Sequence, residues 1–235
     1  MTTRAILPPH CADLMTGRRS LEGQVALVTG GSRGIGNAIA CSLARSGCAV
    51  VLVARTHSEL REARERLAGT GATVDAIAGD VSDRAFCISA VREVEERLGN
   101  VEVLVNCAGI QGPIGLFETL SADEFVYTVA VDFFGAVWMC QAVAPGMKHR
   151  HSGVIVNVSG GGAASPRERS TPYAAAKTTL VRFTETAALE LAPFHVTINA
   201  VAPGAVNTRM LEEVERAGQR RKCARLPVST GLKGS

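Results

Sequence analysis

The chain predicts an α/β fold, a doubly wound parallel sheet in a single domain, on three observations. Six runs rich in β-branched apolar residues recur along it, helix-sized segments separate them, and the first run enters a glycine-rich turn that opens a helix. Near-continuous apolarity means strands covered on both faces, and parallel strands need crossover helices. The strands are expected at Val25–Val28, Ala49–Ala54, Thr73–Ala78, Val101–Val105, Val154–Val158 and Val196–Val201. The helices between them are expected at Ile35–Ser46, Ser58–Leu67, Asp83–Leu98, Ala122 to about Ala144, and Pro172–Leu191. Ser170 or Thr171 is a suitable N-cap for the last helix, because Pro172 then falls near N1, where its missing N–H costs nothing.

Length and composition agree with one domain. The 235 residues are 46% apolar, enough for a core, and carry a formal net charge of +3. Seven basic and three acidic residues from Arg209 to Ser235 leave the rest of the chain near neutral, which argues against a nucleic-acid partner. Seven cysteines without a C-x-x-C pair suggest neither a disulfide framework nor a zinc site, and no metal site is expected at His149 and His151. The first twenty residues hold no apolar run of leader or membrane-span length. These features predict a cytoplasmic protein with no membrane partner. Residues 1–22 are expected to be a flexible extension, 23–210 the nucleotide-binding domain and 211–235 a basic tail with neither strand alternation nor an apolar helical face.

The turn after the first strand reads Thr29-Gly-Gly-Ser-Arg-Gly-Ile-Gly36. Gly30, Gly34 and Gly36 permit a tight turn and a close backbone approach to a pyrophosphate, which would sit on the following helix N-terminus beside Ser32, Arg33 and Ile35. A glycine cluster alone can be a surface turn. Placed between the first strand and first helix of a βαβ unit, it marks a Rossmann-type dinucleotide site. The second strand ends in Ala54-Arg55, where an NAD site would carry an acid for the ribose 2′-hydroxyl. Arg55 and Arg33 instead suit a 2′-phosphate, so NADP is expected as cofactor and NAD is disfavoured.

Tyr173 and Lys177 form Y-x-x-x-K at the start of a helix, on one face and about one turn apart. A nearby ammonium favours the phenolate, so the pair can exchange a proton with a substrate oxygen.

Taken together, TGGSRGIG at 29–36, Asp80-Val81, NCAG at 106–109, YAAAK at 173–177 and PGAVNT at 203–208 resemble the short-chain dehydrogenase/reductase family in its own order, over about Gln24 to Met210. The likeness is to its 3-oxoacyl-carrier-protein-reductase-like carbonyl reductases. The resemblance implies an oxidoreductase interconverting a small-molecule carbonyl and an alcohol by hydride transfer. It implies that Asp80 and Val81 flank the adenine, that Asn106, Ala108 and Gly109 support that wall, and that Pro203, Gly204, Val206 and Thr208 hold the nicotinamide end. Tyr173 would be the proton donor, with Lys177 lowering its pKa and binding ribose hydroxyls.

Three departures qualify the resemblance. The family's substrate-binding serine stands thirteen residues before the tyrosine; here that position is Gly160, and Ser159 is expected to take the role through a bulge at 160–162. The family's V-N-x-x-G reads Val131-Asp132-Phe-Phe-Gly135, and the Asp132 carboxylate is expected to draw Lys177 from Tyr173. The family's lid, last helix and seventh strand are unrecognisable after Gly218, so the sheet is expected to lack its last strand, through truncation, frame-shift or an unreadable fold. A homo-oligomer is then doubtful. The alternative reading is a catalytically impaired dinucleotide-binding protein or truncated isoform. A dehydratase or epimerase on the extended fold fits the glycine spacing less well.

Overall fold

A computed structural model describes residues 21–204, 206, 209–212 and 214–215. Its strands are β1 Val25–Thr29, β2 Ala49–Ala54, β3 Val74–Ala78, β4 Val101–Asn106, β5 Gly153–Val158 and β6 Val196–Val201. Its helices are α1 Gly34–Arg45, α2 His57–Ala68, α3 Arg84–Leu98, α4 Ala122–Val129, α5 Gly135–Arg150, α6 Gly161–Ala164 and α7 Thr171–Leu191. The expected 1–22 extension and the tail lie almost wholly outside the described residues.

All six strands form one sheet in the order β3-β2-β1-β4-β5-β6, with every neighbouring pair parallel. All of β1 is buried, because apolar clusters cover both sheet faces. On one face, Ala40 and Ala44 of α1 and Leu60, Ala63 and Leu67 of α2 pack on β1 and β2. On the other, Val91 and Val94 of α3 and Met139, Val143 and Met147 of α5 pack with Leu104 and Ile155. In β6, Thr197, Asn199 and Val201 are exposed, and among the described residues this strand pairs with β5 alone.

The crossover from β3 to β4 puts the switch in winding between β1 and β4, whose last residues, Thr29 and Asn106, are in register. Crevices at such switch points open at the carboxyl ends of the strands and bind ligands. Thr29 Oγ1 holds this one in shape by accepting the Cys107 and Ala108 N–H groups at 3.1 and 3.2 Å.

The long fourth helical segment departs from expectation twice. It does not stop before Pro145: α5 continues to Arg150 and ends at His151 in the left-handed region, φ 52°. The proline is exposed, while Val143 and Met147 on the opposite side are fully buried, so core packing outweighs the lost backbone bond. Between α4 and α5 the backbone also widens into a π-turn over Ala130–Phe134, which turns Asp132 into the core. The 122–150 stretch is long and apolar enough to cross a bilayer by composition, yet 44% of that apolar window is buried against the domain.

Candidate functional site

A cavity of about 780 Å³ opens at the β1/β4 switch. It is lined by Gly30, Ser32, Arg33, Gly34, Ile35, Gly36, Arg55, Asp80, Val81, Ala108, Gly109, Ser159, Tyr173, Lys177, Pro203, Gly204 and Val206. Most of the expected residues therefore meet in one place. Thr208 lies outside the described residues. Asn106 does not line the cavity. Its amide turns inward, donating to Asn157 Oδ1 at 2.9 Å and to the Ala136 carbonyl at 3.4 Å, so it ties β4 to β5 and α5 from behind the wall.

The glycine loop fits a pyrophosphate. Gly30 has φ +65°, and a Cβ there would stand 2.8 Å from Ala108 N, so only glycine lets the loop lie against the β4 turn. Arg33 caps α1 with extended backbone and makes no side-chain bond to the helix end, and no acid occupies the first turn. That helix end keeps its donors and positive dipole for an anion.

At the adenosine end, both arginines line the cavity but already have partners. Glu59 of α2 accepts from Arg33 Nη1 and Ser32 Oγ, each at 3.2 Å, and Arg209 reaches it at 3.7 Å. Arg55 donates to Tyr127 Oη at 2.7 Å, and Tyr127 donates to Asp80 at 2.8 Å. Burial acts to raise the Asp80 carboxyl, but hydrogen bonds from Ser82 and Tyr127 and the charge of Arg55 outweigh it and hold the pKa low. Asp80 also closes the β3 turn through Ser82 N, whereas the cap of α3 is Asp83.

Deeper in, Tyr173 and Lys177 project from the first turns of α7, both buried. Ser170 occupies the N-cap but makes no side-chain cap bond. Lys177 Nζ lies 3.5 Å from Asp132 Oδ2, donates to the Val158 carbonyl at 3.3 Å and stands 5.9 Å from the Tyr173 ring centroid. Asp132 Oδ1 accepts from Ile110 N at 2.7 Å, while Oδ2 has the lysine as its charge partner without an aligned donor. Burial raises the Asp132 carboxyl, and Lys177 and Ile110 offset only part of that. Burial likewise raises the Tyr173 hydroxyl; Lys177 pulls it down and Asp132 pushes it up.

Ser159 is turned away from the tyrosine. Its Oγ donates to the Val201 carbonyl at 3.2 Å, and its own carbonyl accepts from Tyr173 Oη at 3.5 Å. Gly160 has φ +109°, and a Cβ there would stand 2.6 Å from Tyr173 Oη, so the tyrosine fills the space of a side chain at that position.

Gln111 and Arg167 also line the cavity, alongside Glu59, and sequence reading did not single out any of the three. Tyr127 was missed too. Glu59 reads as an ordinary first-turn helix acid, and Tyr127 as part of an amphipathic helix, because each contacts its partner only in three dimensions. The five described cysteines are unpaired, and burial pushes Cys107 up to about 11 and Cys140 up to about 12, which keeps them as neutral thiols.

Comparison with known proteins agrees with this geometry. Residues 24–219 match the short chain dehydrogenase family. The 3-oxoacyl-(acyl-carrier-protein) reductase of Pseudomonas aeruginosa is 34% identical over 209 residues, 89% of this chain and 84% of that protein. Among solved structures, actinorhodin polyketide ketoreductase with NADPH shares 36% identity at TM-score 0.80, over 83% of this chain and 75% of that one. NAD+-bound xylitol dehydrogenase shares 29% identity at TM-score 0.80, with the same coverage.

Proposed function

Because the chain belongs to the short chain dehydrogenase family, oxidoreductases acting on alcohol and carbonyl groups, we propose that it interconverts a carbonyl and an alcohol with NADP as cofactor. The observation that carries this reading is the convergence in one cavity of an uncapped helix N-terminus, Arg33 and Arg55, and the Tyr173 and Lys177 pair. The helix end and the glycine loop would hold the pyrophosphate, and the two arginines the 2′-phosphate. Pro203, Gly204, Val206 and Thr208 would hold the nicotinamide end. When bound, the dinucleotide supplies the two-electron chemistry at the substrate carbon.

Tyr173 moves the proton. In reduction its hydroxyl donates to the substrate oxygen, and in oxidation its phenolate takes the alcohol proton, helped by the Lys177 ammonium. Ser159, tied to Val201, would accept or donate at the substrate oxygen only after its hydroxyl rotates. Asp132 acts through Lys177 as a positioning residue.

A second reading, a dinucleotide-binding protein with impaired catalysis, is favoured by two features. Lys177 is paired with Asp132 and makes no hydrogen bond to Tyr173, and Gly160 replaces a hydroxyl. Titration with NADPH and NADH, followed by turnover on a panel of ketones, separates the two. Tighter NADPH binding with turnover supports the first reading, binding without turnover supports the second, and no binding of either nucleotide refutes both.

A further inference from the structure

We propose that Tyr127 is a positioning residue for the adenosine end of the cofactor: its hydroxyl stands between Arg55 and Asp80 and keeps the Arg55 charge available to a ribose 2′-phosphate. This role rests on the NADP reading of the same cavity and adds a determinant of that selectivity.

Arg55 and Asp80 both line the cavity, and Tyr127 reaches them from α4 across 72 and 47 residues of chain. The helix that carries it is anchored. Ser121 Oγ caps α4 by accepting from Glu124 N at 3.3 Å, and the neighbouring Thr128 is fully buried. Asp80 is fixed as well, since its Oδ1 accepts from Ser82 N at 2.9 Å. Between these fixed groups the phenol has a single proton, which it donates to Asp80 Oδ2 at 2.8 Å. Its oxygen then accepts from Arg55 Nη1 at 2.7 Å.

The two cavity arginines are therefore held differently. Arg33 is paired with the Glu59 carboxylate at 3.2 Å, whereas among the described residues Arg55 makes no direct ion pair and is oriented by a neutral hydroxyl. A guanidinium oriented in this way keeps more of its charge for an incoming anion than one bound to a carboxylate. Without the hydroxyl, Arg55 and Asp80 lose their spacer, and a fork of guanidinium donors closing on a carboxylate would occupy both groups. NADPH would then compete with Asp80 for Arg55. NADH, which brings no 2′-phosphate, would not.

The test is calorimetric titration of the full chain with NADPH and with NADH, which needs no turnover. Tyr127→Phe is expected to lower the preference for NADPH over NADH by about tenfold, the range of one charge-assisted hydrogen bond. In an Asp80→Asn background no carboxylate is left for Arg55 to close on, so the same substitution should change the ratio by no more than about twofold. Arg55→Ala gives the ratio without the guanidinium, and melting curves of the nucleotide-free variants report on the fold. A Tyr127→Phe variant that melts earlier and binds both nucleotides more weakly, with their ratio unchanged, overturns the proposal and leaves Tyr127 a structural role alone. An equal fall in the ratio with and without Asp80→Asn overturns it too. A wild type without any preference for NADPH overturns the NADP reading and this proposal together. A preference that Arg55→Ala erases and Tyr127→Phe leaves intact overturns this proposal alone.

Discussion

Replacing Asp132 by Asn is the most informative single perturbation, because it changes one charge while keeping an oxygen for the Ile110 N–H. Lys177 stands 5.9 Å from the Tyr173 ring centroid, and Coulomb's law at an effective dielectric of about 20 makes its attraction for a phenolate there worth about 3 kcal/mol. That is roughly a hundredfold in phenolate population. In the native protein much of it is cancelled, since the Asp132 carboxylate sits 3.5 Å from the same ammonium and itself pushes the tyrosine up. Asp132→Asn should therefore speed alcohol oxidation at neutral pH by about tenfold to a hundredfold and move the pH profile to lower pH. The assay is initial rate against pH with NADP+ in excess. A variant that is slower across the whole range, or whose profile moves to higher pH, would refute this reasoning and make the carboxylate a needed part of the proton path.

Three further outcomes follow from the same geometry. The raised folded pKa of Asp132 means that its ionisation opposes folding, so the stability of the wild type relative to Asp132→Asn should fall as pH rises above the ordinary carboxylate range; chemical denaturation at several pH values checks this. Arg33→Ala with Arg55→Ala should erase the preference for NADPH over NADH in binding, whereas Glu59→Gln, by freeing Arg33, should increase it; nucleotide titrations measure both. Gly160→Ser should cost at least about 1–3 kcal/mol from its backbone strain and should lower turnover by displacing Tyr173 Oη, as melting curves and initial rates would show.

The sheet was legible because its strands are short, apolar and bounded by turns, and because a strand buried on both faces has no polar face to blur the pattern. The glycine loop and the tyrosine and lysine pair were legible because each lies within a few residues of chain. What escaped was set by tertiary contact. The exposed ring of Pro145 costs α5 less than Met147 gains by burial, and the π-turn at Asp132 depends on partners at Ile110 and Lys177. Glu59 meets Arg33 across 26 residues, and Tyr127 meets Arg55 across 72. The inward turn of Asn106 depends on Asn157, a strand away. Ser159 is a case of partial legibility: its place in the cavity was foreseen, but its bond to Val201 was not.

In the proposed nucleotide-dependent interconversion of a carbonyl and an alcohol, Tyr173 transfers the proton. Single-turnover measurement of Tyr173→Phe against wild type, at saturating NADPH with a ketone that the wild type reduces, tests it directly. A loss of roughly a hundredfold or more in rate is expected, in the range of general acid catalysis, with NADPH affinity nearly unchanged. A variant that reduces the ketone at a comparable rate would contradict it.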